Sequence, residues 1–204
     1  MKKTIIFLTC ILFLAGCAGK QRSIVYYTID SYSMTPPDTV QPLAEEPLPY
    51  IVEVIDFSIA GPYNDTRIAL RTDSNELEYY HYHQWAETPG NAVRYFVWKI
   101  LHDARIFEVC QLRLTVTAPQ FIVTGAINIL ERVDIEGEAG AHIDGVIDLV
   151  DVRGNRIILS HRFNTFSAFE VHTPMNVFAR EINNIFINEI YTFMNKTIEY
   201  FITE

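Results

Sequence analysis

RIALRTDSNELEYYHYHQWAETPG, residues 67–90, changes its hydrophobic period from two to nearly four within one short run. It begins as a strand. Ile68 and Leu70 alternate with Arg67, Ala69 and Arg71, the pattern of a half-buried strand. The polar group Asp73-Ser74-Asn75 turns the chain. A second strand over 76–83 places Leu77, Tyr79, His81 and His83 on one face and Glu78, Tyr80 and Tyr82 on the other. Aromatics on both faces predict a strand covered on both sides, by the chain itself or by a partner. After Trp85, Thr88-Pro89 reads as a helix start: Thr88 can cap free backbone N–H groups, and Pro89 suits a position that needs no donor. The helix runs to about Ala104, with Val93, Phe96, Val97, Ile100, Leu101 and Ala104 as its apolar stripe.

Upstream, residues 51–59 form a core strand, with Val52, Val54 and Asp56 on one face and Ile51, Ile55 and Phe57 on the other. Residues 61–65 turn into the Arg67 strand. Downstream, residues 106–116 give one or two further strands, closed by Pro119, and residues 121–135 a long one. In the long one Val123, Ile127 and Ile129 alternate with Thr124 and Asn128. Residues 134–140 read as an acidic, glycine-containing loop. Residues 142–151 and 156–166 pair as a hairpin around Arg153-Gly154-Asn155. Residues 174–201 carry Phe178, Ile182, Ile185, Phe186, Ile190 and Phe193 at helical spacing, and Thr173-Pro174 repeats the Thr-Pro start. The order of strands, helix, strands, helix predicts an α/β fold of the α+β sandwich kind, a mixed β-sheet carrying two amphipathic helices.

The N-terminus has a different character. Lys2-Lys3 and the apolar run 4–15 form a signal peptide; the run is too short for a membrane span, which takes ~20 residues. Leu14-Ala15-Gly16-Cys17 has the form of a bacterial lipobox, in which the cysteine is acylated and becomes the first mature residue. Acyl chains contribute ~0.8 kcal/mol per buried CH₂, so two or more give stable attachment. By resemblance to lipoproteins of diderm bacteria, Ala18 in place of an aspartate favours the outer membrane, with the chain on its periplasmic face. Residues 24–29 are β-prone, and the proline-bearing stretch 31–49 is an extended connector. If the 24–29 strand docks in the sheet, the free tether is residues 18–23, a reach of roughly 20 Å at ~3.3 Å per residue. The chain thus divides into a signal peptide over 1–16, a lipidated cysteine with strand and connector over 17–50, and one α/β domain over 51–204.

Charge and motifs exclude several functions. The net charge of −9 falls to −11 once Lys2 and Lys3 leave with the signal peptide. That balance argues against a nucleic-acid partner and against electrostatic docking on anionic headgroups. There is no phosphate-binding glycine loop, no dinucleotide fingerprint and no nucleophile elbow, and Ser160-His161 gives no triad readable in sequence; the chain reads as non-enzymatic, with no cofactor. His81 and His83 share a strand face and would need Glu87 or His102 to complete a zinc site; the spacing matches no established zinc pattern, so no metal is expected. Asp134, Glu136 and Glu138 lack the ligand pattern of a calcium loop. With Cys10 in the signal peptide and Cys17 acylated, Cys110 has no disulfide partner and reads as a small buried hydrophobe.

Within 67–90, R-I-A-x-R (Arg67, Ile68, Ala69, Arg71), E-L-E-Y-Y (Glu76 to Tyr80) and W-A-E-x-P (Trp85, Ala86, Glu87, Pro89) lead into an amphipathic helix. This succession resembles the ABC-type transport auxiliary lipoproteins, outer-membrane proteins associated with MCE (mammalian cell entry) systems and similar to paraquat-inducible protein C. The resemblance implies a compact domain like the N-terminal domain of TolB. It also implies a non-catalytic role beside an inner-membrane ABC permease and ATPase and a periplasm-spanning MCE protein, moving lipids or other hydrophobic molecules between membranes. A ring-shaped MCE partner is compatible with self-association into a homo-oligomer. A structural scaffold or pilot for a secretion channel or a peptidoglycan synthase fits the same lipoprotein features. Because Tyr and Trp are enriched at binding hot spots, Tyr80, Tyr82 and Trp85 are the partner-binding candidates, with core packing the competing role, above all for Trp85.

Overall fold

The computed structural model describes residues 22–30 and 46–203; the signal peptide, Cys17 and most of the proline-bearing connector lie outside them. Among these residues eight strands and two α-helices are arranged as an open mixed sheet with both helices on one face. The strands are β1 (Val25–Tyr27), β2 (Leu48–Ile59), β3 (Arg67–Asp73), β4 (Glu76–Trp85), β5 (Phe107–Gln111), β6 (Phe121–Ile135), β7 (Glu138–Asp151) and β8 (Arg156–Phe169). Helix α1 is Pro89–Asp103 and α2 is Met175–Thr203.

Strand β6 organises the sheet. One of its edges pairs antiparallel with β7 from Phe121 to Ile135, and β7 pairs in turn with β8. Its other edge is shared: β2 runs parallel along the first half, and β3 runs parallel along Glu131–Val133. Beyond β2 lies β5, and beyond β3 lie β4 and then β1. Helix α1 packs on β2 and β5, and α2 on β7 and β8. Their apolar stripes close the core: Phe96, Leu101, Phe178, Phe186 and Phe193 are fully buried. At ~25 cal/mol per Å² of apolar surface removed from water, such burial is the main term holding helix to sheet.

Two bulges change what simple alternation predicts. Between Val54 and Phe57, β2 carries one residue more than its partner β6, so Phe57 turns onto the helix-covered face with Val52 and Val54, while Asp56 points to solvent. A second register shift at Asn128 moves the phase of β6, so Leu130 rather than Ile129 is buried. Strand β2 also starts earlier than residue 51. Leu48 N donates to Ile106 O at 2.8 Å, and Pro49, which has no N–H, falls where the β2–β5 register shifts. The 106–116 strand is shorter than expected, ending at Gln111.

The acidic run after β6 is a tight hairpin, not a loop. Ile135 pairs with Glu138, and Glu136 and Gly137 at φ 50° and 88° form the left-handed pair that a two-residue turn requires. At the start of α1, Thr88 is extended but its side chain caps nothing; its carbonyl accepts from Asn91 N and Ala92 N instead.

Candidate functional site

Strand β4 and its surroundings hold the residues singled out in sequence. β4 does not alternate cleanly. Ala69 pairs with Tyr79 but Arg67 pairs with Gln84, so the stretch between Tyr79 and Gln84 is out of step with β3. The irregularity puts His83 on the same side as Tyr80, against the even–odd expectation, and their rings meet edge-on at 5.7 Å. Tyr79 stays on the opposite face, where Arg67 stacks over its ring at 4.4 Å.

The structure separates the three partner candidates. Trp85 is 3% exposed and lies against Phe178 of α2, so it is a core residue with no surface left for a partner. Tyr82 is exposed at 38%, with the ring of His81 edge-on to it at 4.7 Å. Tyr80 is half-buried. Burial raises its hydroxyl pKa, with Asp134 adding to that and Arg132 opposing it. Cys17, the lipidation site, lies outside the described residues.

Strand β1 docks on β4 in parallel, Val25 opposite His83 and Tyr27 opposite Trp85. Tyr27 Oη and His83 Nδ1 are hydrogen-bonded at 2.9 Å, which ties the first described segment of the chain to the domain. His81 and His83 therefore have ring partners, and His102, offered as a third ligand, stacks on Trp98 of α1 at 5.1 Å. Among the described residues no three His, Cys, Asp or Glu side chains gather as a metal site. Cys110 is buried, its thiol pKa pushed up to about 12 by desolvation.

A cleft of about 530 Å³ opens beside Tyr80, between β4, the end of β6 and the start of α2. Its walls carry Tyr27, Tyr80, His83, Arg132, Asp134 and His172. Arg132, at 4% exposure, reaches the segment before α2: its Nη1 donates to Thr173 O and its Nη2 to Val171 O, both at 3.0 Å. Sequence reading missed this residue. The available signal was a Glu131-Arg132 charge pair inside the otherwise apolar strand 129–133.

Glu131, next to it, points to the opposite face of the sheet. Its carboxylate accepts from Arg71 Nε at 2.6 Å and from Tyr63 Oη at 2.7 Å, and His142 Nδ1 is 3.5 Å away. Burial pushes its pKa up, but the hydrogen bonds from His142, Arg71 and Tyr63 outweigh that and bring it down to about 2. Tyr63 moves the other way, up to about 12, by burial and by its bond to Glu131. A second, part-buried polar chain links β8 to α2 around the buried ring of His161. Lys196 Nζ donates to His161 Nδ1 at 3.0 Å, leaving Nε2–H to donate to Glu189 at 2.8 Å, and Thr165 Oγ1 donates to the other Glu189 oxygen. Within each cluster the charged and polar groups are paired with one another, and both read as structural ties.

No family model matches the sequence, and no curated protein matches it. Solved structures do share the fold. A Xanthomonas campestris protein of family DUF330 superposes with a TM-score of 0.71 at 15% identity, over 86% of this chain and 95% of that one. A second structure, of an uncharacterized protein, gives 0.62 at 10% identity, over 86% and 99%. At such identities the likeness shows a common fold for the domain.

Proposed function

We propose that this chain is a lipid-anchored, non-catalytic auxiliary subunit of an ABC/MCE-type envelope transport system, held at the periplasmic face of the outer membrane through acylated Cys17. The observation that carries the reading is the Leu14-Ala15-Gly16-Cys17 motif followed, after seven intervening residues, by a strand docked in the sheet. Residues 18–24 span at most ~23 Å at ~3.3 Å each. The anchor therefore keeps the domain close to the bilayer, a placement suited to receiving something there. The residue pattern of 67–90, which resembles that of the auxiliary lipoproteins, supports the transport role. Exposed Tyr82, with half-buried Tyr80 beside it, is the partner surface in this reading; the MCE protein and its permease are the partners.

Two measurements test it. Cys17→Ser is expected to abolish outer-membrane fractionation; a variant that still fractionates there removes the lipobox from the account. Affinity purification of the detergent-solubilised lipidated protein is expected to recover an MCE protein and its permease by mass spectrometry. Recovery of a secretin or a cell-wall synthase instead would make the chain a scaffold or pilot for that machine.

A further inference from the structure

We propose that the cleft at the start of α2 binds an oxyanionic group, a phosphate or a carboxylate, between the guanidinium of Arg132 and the first backbone N–H groups of α2. This site does not depend on the lipid anchor or on the transport reading.

The first observation is an unpaired buried charge. Arg132 is 96% buried, yet no carboxylate lies within ion-pair distance of it among the described residues. A guanidinium has five N–H donors. Two are bonded to the carbonyls of Val171 and Thr173, and Nε–H has no acceptor among the described residues. The Phe169 ring, 5.1 Å away, offers a cation–π contact, and the two carbonyls offer dipoles. Neither supplies a full negative charge, which is what a buried cation needs. Asp134 lines the same cleft but forms no ion pair with Arg132.

The second observation is independent of the first. Helix α2 is 29 residues long and has no acidic residue in its first turn. Its N-terminal partial charge of about +0.5 is therefore unopposed from within. Val177 N and Phe178 N already donate to Pro174 O, whereas the N–H groups of Met175 and Asn176 precede any acceptor inside the helix. Both residues line the cleft. The bonds from Arg132 to the 171–173 segment lock the guanidinium to the chain that enters the helix, so the two positive features form one pre-set wall. Such a wall suits an anion with two or more oxygens, one toward each element. At about 530 Å³ the cleft exceeds a bare oxyanion, leaving room for whatever bears the group.

Isothermal titration of the full-length protein in a non-ionic detergent tests the site, with inorganic phosphate, acetate and a soluble dihexanoyl glycerophosphate as probes. Two variants accompany it. Arg132→Gln removes the charge. Asn176→Asp places a carboxylate in the first turn of α2, which suits the helix dipole and keeps the fold, but repels an anion. The expected result is saturable binding of at least one probe, weakened about tenfold or more by Asn176→Asp and, if it folds, by Arg132→Gln. Preference for the glycerophosphate, with the same loss in Asn176→Asp, identifies a lipid headgroup as the source. Equal affinity for phosphate identifies the free anion. No saturable binding of any probe up to roughly 10 mM, or binding untouched by Asn176→Asp, overturns the proposal.

Discussion

Glu131 shows how much a single side chain in the middle of a sheet can depend on its neighbours. Its carboxylate is almost wholly enclosed, so it stays charged only because Arg71, Tyr63 and His142 surround it. The sign of the resulting pH dependence follows from the direction of the shift. A carboxyl group whose pKa falls from 4.5 to about 2 on folding stabilises the protein above pH 4.5 and loses that contribution as pH drops through 2. His142 works oppositely: its pKa is raised by the Glu131 hydrogen bond, so its share is complete below 6.5 and fades as pH rises through the higher folded value. Glu131→Gln keeps the shape but leaves Arg71 without its counter-charge, and is expected to cost about 3 kcal/mol at pH 7. Urea titrations of both proteins between pH 7 and 3 check this. The gap should narrow only below pH 4.5; a gap constant with pH would mean that the charge itself contributes nothing. The same scale explains why Arg132 escaped notice: in sequence it is one charge in a strand, and only the fold shows that no carboxylate among the described residues pairs with it.

At the scale of elements, the β2 bulge has a specific requirement. Phe57, turned inward by the bulge, lies across Gly125 of β6, and a Cβ there would come within 2.7 Å of its ring and run into the Val146 carbonyl. A backbone carbonyl cannot swing away as a flexible side chain can. Gly125→Ala is therefore expected to destabilise by about 3 kcal/mol, at the upper end of overpacking costs, read as a lower urea midpoint with unchanged slope. Wild-type stability would show that Phe57 can leave its place. Arg94 of α1 holds the bulge, donating to Val54 O and Asp56 from the helix side and to Leu112 O at the end of β5. These details mark the limit of sequence reading. Both helices and nearly every strand were legible because their apolar periods hold over several residues at a time, and Trp85 and Cys110 fit the core roles weighed for them. Phase was not legible past a bulge: Phe57, Ile129 and His83 each took the face opposite to the one alternation assigns. Those shifts depend on pairing with distant strands, which local composition does not encode. The cleft was illegible for the same reason, since it joins residues from β1, β4, β6 and α2.

For the whole molecule in the proposed anchored state, the governing quantity is the distance between anchor and sheet. Two acyl chains would hold Cys17 at the bilayer whatever the domain does, while β1, pinned by its pairing with β4 and by the Tyr27–His83 bond, fixes where the tether ends. In that state residues 18–24 would limit the β1–β4 edge to about 23 Å from the proposed acylated residue. The Tyr82 surface and the mouth of the cleft lie along that edge, so both would work near the membrane surface. With the signal peptide removed as expected, the net charge of −11 would work against close apposition to anionic headgroups, and the proposed short tether would overcome that by connectivity alone. Inserting about 20 Gly/Ser residues after Ala18 would lengthen the span beyond 80 Å fully extended, at ~3.3 Å per residue, and lower the effective concentration of the domain at the bilayer. Fractionation with the outer membrane is expected to be unchanged, because acylation is untouched. Recovery of the periplasm-spanning MCE partner is expected to fall several-fold, because a loosely held domain spends little time where that protein would meet the outer membrane. If recovery stays level while fractionation holds, the partner reaches out to the domain and the shortness of the tether has no role in docking.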